Sequence, residues 1–190
     1  MSQLAFIVAG EASGDLHASN LVKELRKLGP DLQLQGWGGD RMAAAGVNVL
    51  KHYRELAFMG FTQVILNLRT ILGNIRLCKK QIEAFRPDVL ILVDYPGLNL
   101  RIAEWAHERG IKVFYYISPQ LWAWKEGRIR IVQRAVDRMF VILPFEKAWY
   151  AERGVDVDFV GHPLLDEVGQ LPASNERSQG PVALLPGSRT

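Results

Sequence analysis

The residue best placed to do chemistry is Asp94. It directly follows the run DVLILV (88–93) and opens the segment Asp94-Tyr95-Pro96-Gly97-Leu98-Asn99. An apolar strand behind it and a Pro-Gly turn after it hold a carboxylate at a sheet edge. There it can take a proton from an attacking hydroxyl within hydrogen-bond reach. The competing reading is an Asx-turn, in which Asp94 only satisfies local N–H groups. A second group lies in Gly10–Asp15 (GEASGD), where Glu11 and Asp15 share a turn with Ser13, next to His17. Two acids suit hydroxyl binding or proton transfer better than a plain phosphate cradle; helix capping by Ser13 or Asp15 explains them equally well. His17 reads as a bystander. His162, between a strand and Pro163, either faces a cleft or packs within its loop. A third group is the loop 118–130, where Trp122 and Trp124 stand beside Lys125, Arg128 and Arg130. Aromatics next to cations suit a sugar face, an acyl chain or a membrane interface, or else close the edge of the core.

The elements that must position these residues follow from periodicity. Leu4–Ala9 is a continuous apolar run, read as a strand buried on both faces. Helical spacing starts at Leu16 and stops at Gly29-Pro30. Strands are expected at 32–36, 47–50, 88–93, 112–117, 138–143 and 156–160. Helices are expected at 41–45 (capped by Asp40), 98–109, 127–136 and from Pro144 to Arg153-Gly154. Alternating strand and helix indicates an α/β fold built on a doubly wound, mostly parallel sheet. In such a sheet ligands bind beyond the carboxyl ends of the strands, so the loops after the first and fourth strands should be neighbours. Residues 169–181 (GQLPASNERSQGP) lose periodicity and read as a linker. The run 182–185 starts another strand, ending in PGSR. The expected organisation is a domain over 1–168, the linker 169–181, and the first strand of a second domain over 182–190. The chain is thus expected to be the N-terminal half of a larger protein, inactive by itself.

Residues 61–78 carry a wide apolar stripe, with Phe58, Met59 and Phe61 at its entrance. Either this is a core-facing helix, or part of it enters a membrane interface with Arg69, Arg76, Lys79 and Lys80 meeting lipid phosphates. The net charge is +3, with cations gathered over 69–86 and 122–138; such patches suit anionic lipid, phosphate or nucleic acid, or are solvated helix faces. The single Cys78 rules out an internal disulfide and fits a reducing cytoplasm. The N-terminus enters a strand with no basic segment before it, which reads as no signal peptide. No apolar run reaches the roughly 18–20 residues of a bilayer span. The glycine loop is not G-x-G-x-x-G, and the second strand does not end in a ribose-binding acid, which argues against a nicotinamide enzyme. No P-loop lysine, nucleophile elbow or metal cluster is present, and no cofactor is expected.

Taken together, GEASGDLH (10–17), WGGDRM (37–42), FMGF (58–61), DYPGLN (94–99), YISPQLWAWKEGRI (116–129), VILPFE (141–146), FVGHPL (159–164) and LLPGSR (184–189) resemble the lipid-A-disaccharide synthase family over nearly the whole chain. The resemblance implies two Rossmann-like domains in a GT-B arrangement, and an inverting glycosyltransferase that uses no metal. Its substrates would be UDP-2,3-diacylglucosamine and 2,3-diacylglucosamine 1-phosphate. Its products would be the β-1,6 lipid A disaccharide 1-phosphate and UDP. The acceptor would bind the N-terminal domain. The resemblance implies Asp94 as base for the acceptor 6-hydroxyl and Glu11 as its catalytic neighbour. Ser13, Asn99, Gln120, Trp122 and Arg189 would bind substrate, with Arg189 near the donor diphosphate. Phe58, Met59, Phe61, Ile65, Leu66 and Leu72 would meet acyl chains or membrane. The protein would sit in the cytoplasm, peripheral to an anionic membrane surface at the inner face of the inner membrane, as a homodimer when full-length, without binding nucleic acid. Leu98 departs from the phenylalanine more usual in the family, a change expected to alter packing and not chemistry. Two alternatives are a soluble GT-B-related UDP-sugar epimerase and a non-enzymatic flavodoxin-like binding module.

Overall fold

A computed structural model describes residues 3–56 and 68–168. The expected acyl-contact residues Phe58, Met59, Phe61, Ile65 and Leu66, the linker 169–181, the strand at 182–185 and Arg189 lie outside the described residues.

Seven parallel strands form one sheet in the order β3-β2-β1-β4-β5-β6-β7. They are β1 (Leu4–Ala9), β2 (Gln33–Gly38), β3 (Asn48–His52), β4 (Val89–Val93), β5 (Lys112–Tyr116), β6 (Arg138–Val141) and β7 (Asp158–Phe159). The apolar run of β1 supplies both faces of the sheet. Phe6 and Val8 join one buried cluster; Ala5, Ile7 and Ala9 join the other. The first cluster is covered by α3 (Leu68–Phe85), α4 (Pro96–His107), α5 (Ile129–Ala135) and α6 (Pro144–Ala151). The second is covered by α1 (Ala12–Leu28) and α2 (Asp40–Ala44). Beyond α1 the second face is thinly covered. An apolar cavity of about 470 Å³ remains there, between Leu21 and Leu25 of α1, Phe114, Tyr116 and Phe140 of the sheet, and Leu165 of the short α7 (Leu164–Val168).

Several boundaries differ from those expected, for local reasons. Helix α1 starts at Ala12, not Leu16, because its first turn is built of small and polar residues that carry no apolar stripe. Strand β2 continues through Trp37, fully buried, to Gly38. It can lie so close to β1 only because residue 36 is glycine; a Cβ there would run into the Ile7 carbonyl oxygen. Asp40 does not cap α2 but lies exposed within its first turn. The basic helix splits into a 3-10 turn at Glu126–Arg128 and α5. Strand β7 is two residues long, and α7, of five residues, is too short to leave a periodic signal.

On α3, Ile75, Cys78 and Ile82 are buried at helical spacing against the first cluster, so this part of the stripe faces the core. Leu72 and Leu77 stand on the other side, exposed at 41% and 39%.

Candidate active site

Strand order places the site. The chain runs outward from β1 to β2 and β3, then returns to build β4 on the other side of β1. The crevice at this reversal lies between the exits of β1 and β4, which carry Glu11 and Asp94.

The exit of β4 is strained and firmly held. Asp94 (φ 45°) and Tyr95 (φ 47°) are consecutive non-glycine residues in the left-handed region. Each such residue costs on the order of 1–3 kcal/mol and persists only where surrounding bonds enforce it. Here the Asp94 N–H donates to the Tyr116 carbonyl at 3.0 Å, and the Asp94 carbonyl accepts from the Tyr115 hydroxyl at 2.6 Å and from Asn99 Nδ2 at 2.8 Å. Asn99 Nδ2 also reaches the Val93 carbonyl at 3.1 Å. Pro96 then opens α4 at a position where a missing N–H is harmless. Asn99, expected to bind substrate, is fully buried: its Nδ2 donates to backbone carbonyls and holds the Asp94 exit, while its Oδ1 has no partner among the described residues.

This arrangement tunes Asp94. Burial, and next the negative charge of Glu11, push its carboxyl up to about 6, against a lowering hydrogen bond from the Tyr95 N–H. The group is ionised at neutral pH yet a stronger base than an ordinary aspartate, which is what proton abstraction at that pH needs. Tyr95 is raised by burial and by Glu11; Tyr115 is raised far above its ordinary range by burial and by Asp94, so it remains a hydroxyl donor. Gly10 makes room for the roof of the crevice, since a Cβ there would strike the Tyr95 ring. Glu11 is extended (φ −143°) at the N-cap of α1 and exposed, with Ser13 exposed one residue into the helix.

Asp15, from the same sequence motif, does something else. It is buried and accepts from the N–H groups of Gly39 (2.7 Å), Met42 (3.1 Å) and Arg41 (3.2 Å). It thus caps α2, not its own helix. His17 is buried too, and burial, with the nearby His162, lowers its pKa against the pull of Glu167. His162 consequently sits by α1 at the rim of the large apolar cavity.

The loop after β5 supplies the other wall. Ser118 is buried, its hydroxyl donating at 2.5 Å to Glu146, which accepts in turn from the Leu143 and Ile142 N–H groups. Glu146 so ties the exits of β5 and β6 together, a role with no local signal in the sequence. Trp122 stacks edge-on against Phe145 at 5.1 Å between centroids. Trp124, exposed at 69%, instead joins Gln120, Lys125 and Arg128 in lining a cavity of about 210 Å³ against Pro96 and Gly97. Of the two tryptophans, the one favoured by the family pattern packs on α6 and the other faces the crevice. Asp94, Glu11, Ser13 and Gln120 thus share the carboxyl end of the sheet, while Leu72 belongs to the exposed side of α3. Among the described residues, no group of three or more His, Cys, Asp and Glu side chains could hold a metal ion, and no helix is long and apolar enough to cross a membrane.

Comparison with known proteins gives a consistent result. The model of the family described as lipid-A-disaccharide synthetase matches residues 5–190. The chain is 48% identical over 196 residues to the lipid-A-disaccharide synthase of Syntrophus aciditrophicus (strain SB), covering 99% of this chain and 51% of that protein. It is 47% identical over 191 residues to the synthase of Geobacter metallireducens, covering 96% and 50%. The chain spans about half the length of the curated relatives it matches. Among solved structures it is similar to a UDP-N-acetylglucosamine 2-epimerase (TM-score 0.61, 13% identity, 89% of this chain and 55% of that one). It is also similar to the UDP-GlcNAc 2-epimerase of Neisseria meningitidis bound to UDP-GlcNAc (TM-score 0.59, 12% identity, 89% and 49%). At such identities the likeness concerns the fold alone, here an α/β, Rossmann-like one.

Proposed function

The chain belongs to the lipid-A-disaccharide synthetase family, and from that membership we propose that it forms the acceptor-binding part of an inverting glycosyltransferase. The donor is UDP-2,3-diacylglucosamine and the acceptor 2,3-diacylglucosamine 1-phosphate. The observation that carries this reading is Asp94: a carboxylate raised to about 6 by burial and by Glu11, held in strained backbone at the topological reversal of the sheet.

The chemistry follows from that carboxylate. Asp94 takes the proton of the acceptor 6-hydroxyl as its oxygen attacks the donor anomeric carbon. The bond from that carbon to the β-phosphate oxygen breaks, and UDP leaves with the electron pair. The product is the β-1,6 disaccharide 1-phosphate. Glu11 keeps Asp94 basic. Ser13, Gln120 and Trp122 contact the substrates, and Arg189 meets the donor diphosphate.

Both substrates carry acyl chains, so the protein works at an anionic membrane surface on the cytoplasmic side of the inner membrane. The exposed Leu72 and Leu77 of α3, with Arg69, Arg76 and Lys80 exposed on the same helix, support this placement. UDP release in mixed micelles, by the chain joined to its donor-binding half, is the test. It should require both lipids and vanish in Asp94→Asn; release that persists in that variant, or that proceeds without acceptor, would sink the proposal.

A further inference from the structure

The small cavity against Pro96 and Gly97, two and three residues past Asp94, has a composition that the proton transfer does not use. It holds two cations, Lys125 and Arg128, the amide of Gln120, and Gly97 in the first turn of the twelve-residue α4. No carboxylate lines it. The acid within the same loop, Glu126, is turned away and bound by Arg153 Nε at 2.8 Å. Among the described residues, neither Lys125 nor Arg128 forms an ion pair with a carboxylate. Lys125 Nζ lies 5.4 Å from the Trp124 ring centroid, and its backbone is left-handed (φ 60°), as are those of Asp94 and Tyr95. The charge of Arg128 is felt at the buried Tyr115, whose hydroxyl holds the Asp94 carbonyl. First-turn N–H groups of α4 add a favourable field for an anion.

Size decides which anion. About 210 Å³ is below the roughly 300–1,000 Å³ of ordinary ligand sites. It is open to solvent on one side and holds a group of about phosphate size, so the remainder of a ligand must lie outside it.

We infer that Lys125, Arg128, Gln120 and the first turn of α4 form the subsite for the anomeric phosphate monoester of the acceptor sugar, and that this subsite is what separates acceptor from donor. The inference rests on the reading of Asp94 as the acceptor's base. The two proposed substrates share the same diacylated sugar and differ only at the anomeric oxygen, one bearing a phosphate and the other a UDP. A protein that recognised only the shared part would also seat a donor in the acceptor position. A doubly cationic pocket at the start of α4 favours the phosphate monoester, which carries close to two charges near pH 7 on one group, over the sugar-linked phosphate of a UDP-sugar, which carries one. Arg128 offers a bidentate fork to the phosphate and Lys125 a point charge.

The test is titration of the 190-residue chain with glucosamine 1-phosphate, glucosamine, inorganic phosphate and UDP-GlcNAc, read from the backbone amide resonances of Gly97 and Gln120. Glucosamine 1-phosphate should shift both and glucosamine neither; inorganic phosphate should compete for the same resonances, and UDP-GlcNAc should not move them. Arg128→Gln and Lys125→Gln should each weaken the sugar phosphate by about tenfold or more, with Arg128→Lys recovering part of the loss. In turnover, Arg128→Gln should raise KM for the acceptor and leave KM for the donor unchanged. Binding of the sugar phosphate unaffected by either substitution would overturn the subsite, as would equal shifts with glucosamine. Loss confined to UDP-GlcNAc would overturn it in favour of a donor diphosphate site. Failure of the base reading would look different: turnover would survive Asp94→Asn while the phosphate-dependent shifts remained.

Discussion

Two carboxylates at the same end of this sheet, Asp15 and Asp94, live under opposite conditions. Asp15 is buried with three backbone N–H groups pointing at it, so its charge is fully answered by the protein. Asp94 is shielded from water, faces the like charge of Glu11, and is given a single opposing N–H interaction, from Tyr95. The first arrangement fixes structure: an ionised group with its acceptor sites occupied has nothing left to offer a ligand. The second leaves proton affinity unspent. The surrounding bonds of Asn99 and Tyr115 go to the Asp94 carbonyl, not to its carboxylate. The backbone is held still while the side chain stays reactive.

Substitutions at the two sites should therefore separate cleanly. The largest effect expected is on turnover: Asp94→Asn should lower kcat by about 10²–10⁴-fold, whereas Asp15→Asn should leave kcat per folded molecule near that of the parent. Stability should show the reverse. Asp15→Ala strands three buried donors and removes the cap of α2, a loss of about 3 kcal/mol, seen in thermal unfolding as a fall in Tm of roughly 6–12 °C. Asp15→Asn, which keeps one acceptor oxygen, should lose less.

The third contrast is in pH. The native state holds the Asp94 proton more tightly than the unfolded chain does. Stability from this group is therefore full below the ordinary carboxyl range and declines as pH rises from about 4 to about 6. Asp94→Asn removes that decline. It should be more stable than the parent at pH 7.5, by up to about 3 kcal/mol, and no more stable at pH 3.5; urea titrations at the two pH values check this. The smallest effect belongs to Glu11→Gln. It should shift the acidic limb of the kcat/KM profile to lower pH, because the neighbouring charge that raises Asp94 is gone, with folding stability changed by less than about 0.5 kcal/mol. An unmoved limb would mean that burial alone sets the proton affinity of Asp94.

The same comparison shows how much could be read from the sequence. Runs such as LAFIVA and DVLILV are bounded by turn residues and belong to strands buried on both faces, so the parallel sheet and the Asp94 exit were legible from local pattern. Asp15 was legible as a polar residue near a helix start but not as the cap of α2, because its partners are 24–27 residues further on. Asn99, read from the family resemblance as a substrate contact, is turned inward under the left-handed pair, which no sequence pattern marks. Trp122 and Trp124 differ in which wall each meets, a matter decided by Phe145 on α6. For Asp15 and Trp122 what escaped was a contact whose two ends are far apart along the chain.

The position of β1 in the middle of the sheet also has a consequence in time. On a ribosome, β1, β2 and β3 emerge in sequence and can pair, but the other edge of β1 is completed only by Val89–Val93. At about 5–20 residues per second, the stretch between His52 and Val89 takes a few seconds to synthesise. For that interval the nascent chain presents the unpaired, wholly apolar edge Ala5–Ala9, which is a template for strand addition. Delivery of β4, with its DVLILV run, is thus the event that closes this edge of β1. Substitutions that slow or weaken that strand should be felt first as lost yield of soluble protein.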